Sequence, residues 1–194
     1  MKIVIIKYNA GNVYSVSSAL KRLGYDAVIT SDLEEIKSAD KIIFPGVGEA
    51  SSAMKYLQKT KLDKLIPELK QPFLGVCLGL QLLCHSSEEG NTKCLGIFNE
   101  NVRRFPPKEK VPHMGWNSIK FNDSKLFAGI PNESFVYFVH SFYAELSEFT
   151  ISETNYILPF SSALQKDNFY ALQFHPEKSG IIGEQILKNF IELC

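Results

Sequence analysis

The stretch Pro72-Phe73-Leu74-Gly75-Val76-Cys77-Leu78-Gly79-Leu80-Gln81-Leu82-Leu83-Cys84 carries the reading of the fold. Pro72 to Val76 is short and apolar, as a strand buried in a parallel sheet is. From Gly79 to about Cys84 the residues suit a helix. A strand running straight into a helix is half of a β-α-β unit, and the same alternation fills the first half of the chain. Ile3 to Ile6 predicts a strand. Asn12 to Leu23 predicts a helix that stops at Gly24. Ala27 to Thr30 predicts a second strand, and Asp32 caps a short helix through Ile36. Lys41 to Phe44 predicts a third strand, ended by Pro45-Gly46. Ala50 to Leu57 and Leu62 to Leu69 read as helical. Repeated units of this kind imply a parallel sheet with helices on both faces, with ligands bound at the carboxyl ends of the strands. Pro45-Gly46-Val47-Gly48 and the turn at Cys77 both fall at such ends, so they can lie side by side.

The second half changes character. Lys93 to Phe121 and Ser134 to Phe174 are rich in aromatic and β-branched residues and predict antiparallel strands beside the parallel core. Ser179 to Leu193 closes the chain as an amphipathic helix. The 194 residues suit one domain, 1–194, with no linker or internal repeat. Lys+Arg and Asp+Glu are 21 each, which argues against a nucleic-acid binder. The apolar run at the N-terminus is too short for a signal peptide or a membrane span, so the expected compartment is the cytoplasm. There the cysteines Cys77, Cys84, Cys94 and Cys194, which form no CxxC pair, should be thiols.

Cys77 sits in Gly75-Val76-Cys77-Leu78-Gly79, between strand and helix. A tight turn there pushes the side chain outward, and the glycines relieve the strand–helix clash. The helix N-terminus beside the sulfur favours thiolate, and the Leu78 N–H can donate to an oxyanion. A buried structural cysteine is the plainer reading of the same string. A nucleophile also needs a base. His85 falls just after the helix and reads as a surface residue, while His113 and His140 are flanked by apolar groups and suit a core. His175 stands in Gln173-Phe174-His175-Pro176-Glu177, where Pro176 biases it toward extended backbone. Residues two apart in extended chain share a side, with Cα atoms roughly 6–7 Å apart. Glu177 can then hold one ring nitrogen and leave the other for a thiol. A His and Glu at a surface turn would look the same. No zinc-like ligand spacing accompanies these residues. Val47 and Gly48 offer backbone N–H groups toward a developing negative charge, or form only a tight turn.

Taken together, Gly-Val-Cys-Leu-Gly-Leu-Gln and Phe-His-Pro-Glu resemble the class I glutamine amidotransferases. Further strings narrow the branch of that family: Gly11-Asn12 with Ser15-Val16, Val111-Pro112-His113-Met114-Gly115-Trp116-Asn117, Tyr137-Phe138-Val139-His140-Ser141 and His175-Pro176-Glu177-Lys178-Ser179-Gly180. The resemblance covers essentially the whole chain. It implies the flavodoxin-like fold of that family: a central, mostly parallel sheet with helices on both faces and an added antiparallel sheet. It implies a triad of Cys77, His175 and Glu177, with Val47, Gly48 and Leu78 as the oxyanion hole. Gln81, Glu89, His140, Ser141 and Phe142 match glutamine-binding positions, and Asn12 and Trp116 match positions near a partner interface. The implied partner is a cyclase subunit with a (β/α)8 barrel, in a heterodimer, receiving ammonia for histidine biosynthesis. Neither cofactor nor metal is implied. Two departures stand out. Lys7-Tyr8-Asn9-Ala10 occupies the place of the family's Asp-Tyr-Gly, and Phe142 stands where Tyr is usual. They leave a second reading open, a related subunit that supplies ammonia for amidino groups on surface sugars. A degenerate scaffold protein and a cysteine peptidase are opposed by the intact triad and by Gln81, Glu89 and Trp116.

Overall fold

The computed structural model describes residues 1–9 and 12–194; Ala10 and Gly11, which belong to two of the strings above, lie outside the described residues. The first half runs β1 (Ile3–Ile6), α1 (Val13–Arg22), β2 (Ala27–Thr30), α2 (Leu33–Lys37), β3 (Lys41–Gly46), α3 (Ala50–Thr60), α4 (Leu62–Leu65), β4 (Phe73–Cys77) and α5 (Leu78–Leu83). The second half runs β5 (Ser86–Ser87), β6 (Thr92–Lys93), β7 (Asn101–Arg104), β8 (His113–Ser118), β9 (Lys120–Phe121), β10 (Phe135–His140), β11 (Phe142–Ala144), β12 (Thr150–Tyr156), β13 (Leu158–Lys166), β14 (Phe169–Leu172) and α6 (Gly180–Leu193).

The local signals act as expected. Asp32 caps α2, its carboxylate accepting from the N–H groups of Glu34 at 3.0 Å and Glu35 at 2.9 Å. Gly24 follows α1 at φ +85, which an L side chain rarely adopts. Alternation in β1 divides the core. Val4 and Ile6 pack with α3, α4 and α5 on one face, and Ile3 and Ile5 pack with α1 and α6 on the other. A slip of one residue would exchange the two sets, so burial fixes the register.

Strands β2, β1, β3, β4 and β14 lie parallel in that order, and β13, β11 and β7 extend the same sheet in antiparallel fashion. Most of the second half thus continues the central sheet rather than packing beside it. The separate antiparallel sheet is the β8–β10 pair. β3 also runs beyond the expected stop at Phe44, pairing Pro45 with Val76 and Gly46 with Cys77. Its ladder with β1 ends at Ile43, so the missing N–H of Pro45 falls past the β1 edge.

Asn189 is buried on α6 and ties that helix to the turn at Lys125–Phe127. Its Nδ2 donates to the carbonyls of Leu126 at 3.0 Å and Ala128 at 2.9 Å. In Asn189→Leu the buried Leu126 carbonyl loses its donor, while the carbonyl of the exposed Ala128 can turn to water. Urea denaturation should show a loss of about 1–3 kcal/mol.

Candidate active site

Cys77 ends β4 with φ 55 and ψ −108, a backbone conformation that costs a non-glycine residue about 1–3 kcal/mol. The packing around it holds that conformation in place. A Cβ on Gly79 would run into the carbonyl oxygen of Phe44, and one on Gly75 would meet Leu83 Cδ1 at 2.7 Å. Only glycine lets α5 approach β3 and β4 this closely. The helix therefore starts at Leu78, one residue before the expected Gly79, and its first N–H groups have no acceptor within the helix.

His175 follows β14, with an extended backbone at φ −98 and ψ 96. Its Nδ1 donates to Glu177 Oε1 at 2.8 Å, the bond the spacing suggested. The path between them differs, since Pro176–Lys178 form a 3₁₀ turn instead of extended chain. Proline at the first turn position has no N–H to lose there. Ser179 latches the turn, donating to the His175 carbonyl at 2.7 Å and accepting from the Tyr137 N–H at 2.9 Å. The Glu177 side chain is fully buried, and Asn12 Nδ2 donates to the same Oε1. Asn12 heads α1 without capping it, so its amide is spent on Glu177. Burial works against a charged His175 ring. The facing Cys77 sulfur, and then the hydrogen bond and charge of Glu177, outweigh burial and push it up to about 10. Nε2 is buried and forms no hydrogen bond in this geometry, so the sulfur acts on the ring across a gap that is not a formed bond.

A cavity of about 380 Å³ opens onto the sulfur. It is lined by Val47, Gly48, Leu78, Gln81, Glu89 and Pro112, and by the segment from Val139 to Phe142. Every glutamine-pocket and oxyanion position expected from the sequence therefore falls on one wall or another. Pairing of Gly46 with Cys77 delivers the Val47–Gly48 loop to the nucleophile. Gly48 holds φ +120, open only to glycine. Burial raises the Glu89 carboxyl; it is partly offset by the Ala50 N–H that donates to it at 2.8 Å and reinforced by the charge of Glu49. His175 does not line the cavity; it is 1% exposed.

The carbonyl of Phe142 sets the orientation of the polar groups around this cavity. A carbonyl only accepts, so His140 Nδ1, at 2.7 Å, must carry a hydrogen, and the Gln81 nitrogen at 3.0 Å must be its Nε2. Nε2 of a neutral His140 then accepts from His113 Nδ1 at 3.0 Å, and His113 Nε2 accepts from Asn117 Nδ2 at 3.3 Å. On the other side Gln81 Nε2 also donates to Gln173 Oε1 at 3.1 Å, which turns Gln173 Nε2 toward Cys77 Sγ at 3.8 Å. The sulfur in turn donates to the Val139 carbonyl at 3.8 Å. Gln173 is the residue that motif reading passed over. Its signal was its place two before His175, on the same side of the chain. Burial holds His113 down at about 4. His140 is held at about 3 by burial, assisted by the positive charges of His113 and His175 and opposed by its bond to Phe142. The core reading of both histidines therefore stands, and His140 adds the cavity wall to it. His85 is exposed, as expected. Trp116 and Met114 are exposed on β8, with Trp116 edge-on to Tyr137 at 6.0 Å.

Comparison with known proteins agrees with this geometry. The family profile described as glutamine amidotransferase class-I matches residues 4–193. The chain belongs to that family. Within it, the chain stands with proteins named imidazole glycerol phosphate synthase subunit HisH. That of Bacteroides fragilis strain YCH46 is 63% identical over the full length of both chains, and that of Bacteroides thetaiotaomicron 60%. Buchnera aphidicola subsp. Acyrthosiphon pisum has one at 48%, also full length. A crystal structure of a glutamine amidotransferase shares the fold at TM-score 0.78 and 19% identity, covering 100% of this chain and 98% of its own. The structure of PurLQS from Thermotoga maritima shares it at TM-score 0.73 and 14% identity, covering 98% of this chain and 97% of the matched one.

The histidines shift in opposite directions, and so do their effects on stability. His113 and His140 stay neutral in the fold, while the unfolded chain takes up protons at both below about pH 6.5. Their contribution is present above that pH and is lost as pH falls toward 4 and then 3. The contribution of His175 is present below about pH 6.5 and is lost as pH rises through 10. The drop in urea-measured stability between pH 7 and pH 4.5 should be smaller in His113→Gln than in the parent, by roughly 2 kcal/mol.

Proposed function

We propose that this chain, as a single glutamine amidotransferase domain over residues 1–194, hydrolyses glutamine to glutamate and ammonia. The observation that carries the reading is Cys77, strained outward at the end of β4 above a cavity, with His175 beside it and a buried Glu177 on the far ring nitrogen. The Cys77 sulfur attacks the carboxamide carbon, and the carbonyl electrons move onto oxygen. N–H groups of Leu78 and of the Val47–Gly48 loop receive that oxyanion. As the tetrahedral intermediate collapses, the C–N bond breaks and His175 gives its Nε2 proton to the leaving nitrogen, releasing ammonia. A glutamyl thioester remains. His175, now neutral, takes a proton from water, which attacks the thioester and releases glutamate and the sulfur. Glu177 holds the ring through Nδ1 and balances its charge, as the third member of a triad does. The elevated His175 pKa suits the first step, because the ring enters it already protonated.

Substrate recognition follows from the cavity walls. Glu89 supplies a carboxylate for the amino group of glutamine. Gln81 and the backbone of His140, Ser141 and Phe142 complete the grip. The ammonia acceptor is a cyclase subunit with a (β/α)8 barrel, paired with this chain as a heterodimer in histidine biosynthesis. It combines ammonia with a phosphoribulosyl-formimino-carboxamide nucleotide to give imidazole glycerol phosphate and aminoimidazole carboxamide ribotide. The relatives at 60–63% identity support this acceptor over a sugar-modifying synthetase, since their name is that of the synthase subunit. Trp116 and Met114 offer exposed apolar contacts, and Asn12 joins α1 to Glu177, so docking on that side would bear on the triad. Among the described residues no helix is long and apolar enough to cross a membrane, and the proposed setting is the cytoplasm.

Cys77→Ala separates the two half-reactions. In the complex with the cyclase, glutamine-driven product should fall at least about 10³-fold, in line with loss of a covalent nucleophile, while product formed from added ammonium salts is retained. Loss of both would sink the channelling reading, and undiminished glutaminase activity would sink the nucleophile.

A further inference from the structure

Cys77 Sγ has two hydrogen-bond neighbours besides the imidazole across from it. The Val139 carbonyl accepts, which favours the thiol; the Gln173 amide donates, which favours the thiolate. Gln173 is fully buried, and its orientation is not free. The Phe142 carbonyl accepts from both His140 and Gln81, which forces Gln81 to present its nitrogen. That nitrogen forces Gln173 to present its oxygen to Gln81 and therefore its N–H to the sulfur. An amide that could flip would offer the sulfur a donor or an acceptor indifferently, but this one cannot flip without placing two nitrogens opposite each other and losing the bond.

We infer that Gln173 is a further catalytic residue at the nucleophile: a pre-oriented neutral donor that holds Cys77 as thiolate before glutamine enters, its amide locked by Gln81 and the Phe142 carbonyl. The inference rests on Cys77 as nucleophile, the reading of the preceding subsection. It assigns Gln81 a role besides its place in the glutamine cavity, as the support of the sulfur's donor. Glutamine bonding to Gln81 would draw on the same amide that positions Gln173, so pocket occupancy and sulfur activation share one group. The titratable groups around the sulfur are His175 with Glu177 beyond it, His140 on β10, Tyr8 after β1 and Glu89 on the cavity wall. All of them are retained when Gln173 is replaced, so they do not imitate its loss.

The test is the rate at which iodoacetamide alkylates Cys77 in the intact chain, followed by mass spectrometry of the Cys77 peptide so that Cys194 does not interfere. Gln173→Met keeps the bulk and removes the donor. It should react about tenfold more slowly than the parent at pH 7, the loss of one charge-assisted hydrogen bond, and the gap should close by pH 10, where an ordinary thiol is ionised without a donor. Gln173→Glu keeps an acceptor for Gln81 but sets a carboxylate against the sulfur, and it should be slower still at pH 7. A parental rate in Gln173→Met at pH 7 would overturn the inference. So would slowing by the same factor at both pH values, because that is the mark of altered access. Should either variant fail to fold, the parent itself gives the answer: the Gln173 side-chain amide ¹⁵N–¹H resonance should titrate in step with the alkylation profile, and a flat response would overturn the inference. Alkylation requires neither glutamine nor a partner, so its outcome is separate from whether glutamine is the substrate.

Discussion

The first turn of α5 lies against the carbonyl of Phe44 because residue 79 has no side chain, and the rest of the site depends on that approach. With α5 held there, the chain has one residue in which to turn from strand to helix. Cys77 takes the turn at positive φ, a conformation that only dense packing on both sides can enforce. The same approach sets β3 beside β4 out to Gly46, so the Val47–Gly48 loop emerges next to the sulfur. β14 joins β4 on the other side and brings Gln173 and His175 to the same end of the sheet. Three strand ends, distant in sequence, therefore meet where a doubly wound sheet places its ligands.

A second fixed point is the carbonyl of Phe142. It has no freedom over whether to accept, and it imposes direction on every polar group joined to it. The chain from Asn117 through His113 to His140, and the branch through Gln81 to Gln173, each have one allowed orientation. Buried amides and imidazoles joined in this way hold one another in place, which makes their burial tolerable. Histidines in this one chain show how environment decides charge. His113 and His140 are buried among rings and neutral partners and stay uncharged, whereas His175 is as buried as they are but has a carboxylate on one nitrogen and a sulfur near the other. The difference lies in the anions beside the ring, since burial is common to all three.

Much of the site was legible in local patterns. The glycines around Cys77 announced the turn, and His175 and Glu177 were paired correctly from their spacing of two. The route between them was misjudged, because extended geometry and a 3₁₀ turn both bring such a pair together. Gln173 was passed over, since a glutamine in a strand carries no chemical signature until its neighbours are known. Asn12 had been assigned only to the partner face, yet its amide reaches Glu177 across 165 positions of sequence. No pattern within a window of a few residues contains that contact.

The sequence by itself determined the parallel strands, the helices between them, their caps and the division of each strand's side chains between two faces, because these follow from periodicity and from residues acting over a few positions. It also determined which residues were able to react. Tertiary structure alone decided which strands became neighbours. Pattern predicted antiparallel strands packed beside the parallel core, but β14 joined the parallel strands and β13, β11 and β7 prolonged the same sheet, since strand pairing is a choice among distant partners of similar local character. It decided the state of the reactive groups as well. Whether His140 is neutral, His175 charged or the Gln173 amide turned toward sulfur depends on what burial removes and which partners folding supplies, and neither exists until the chain has closed around them.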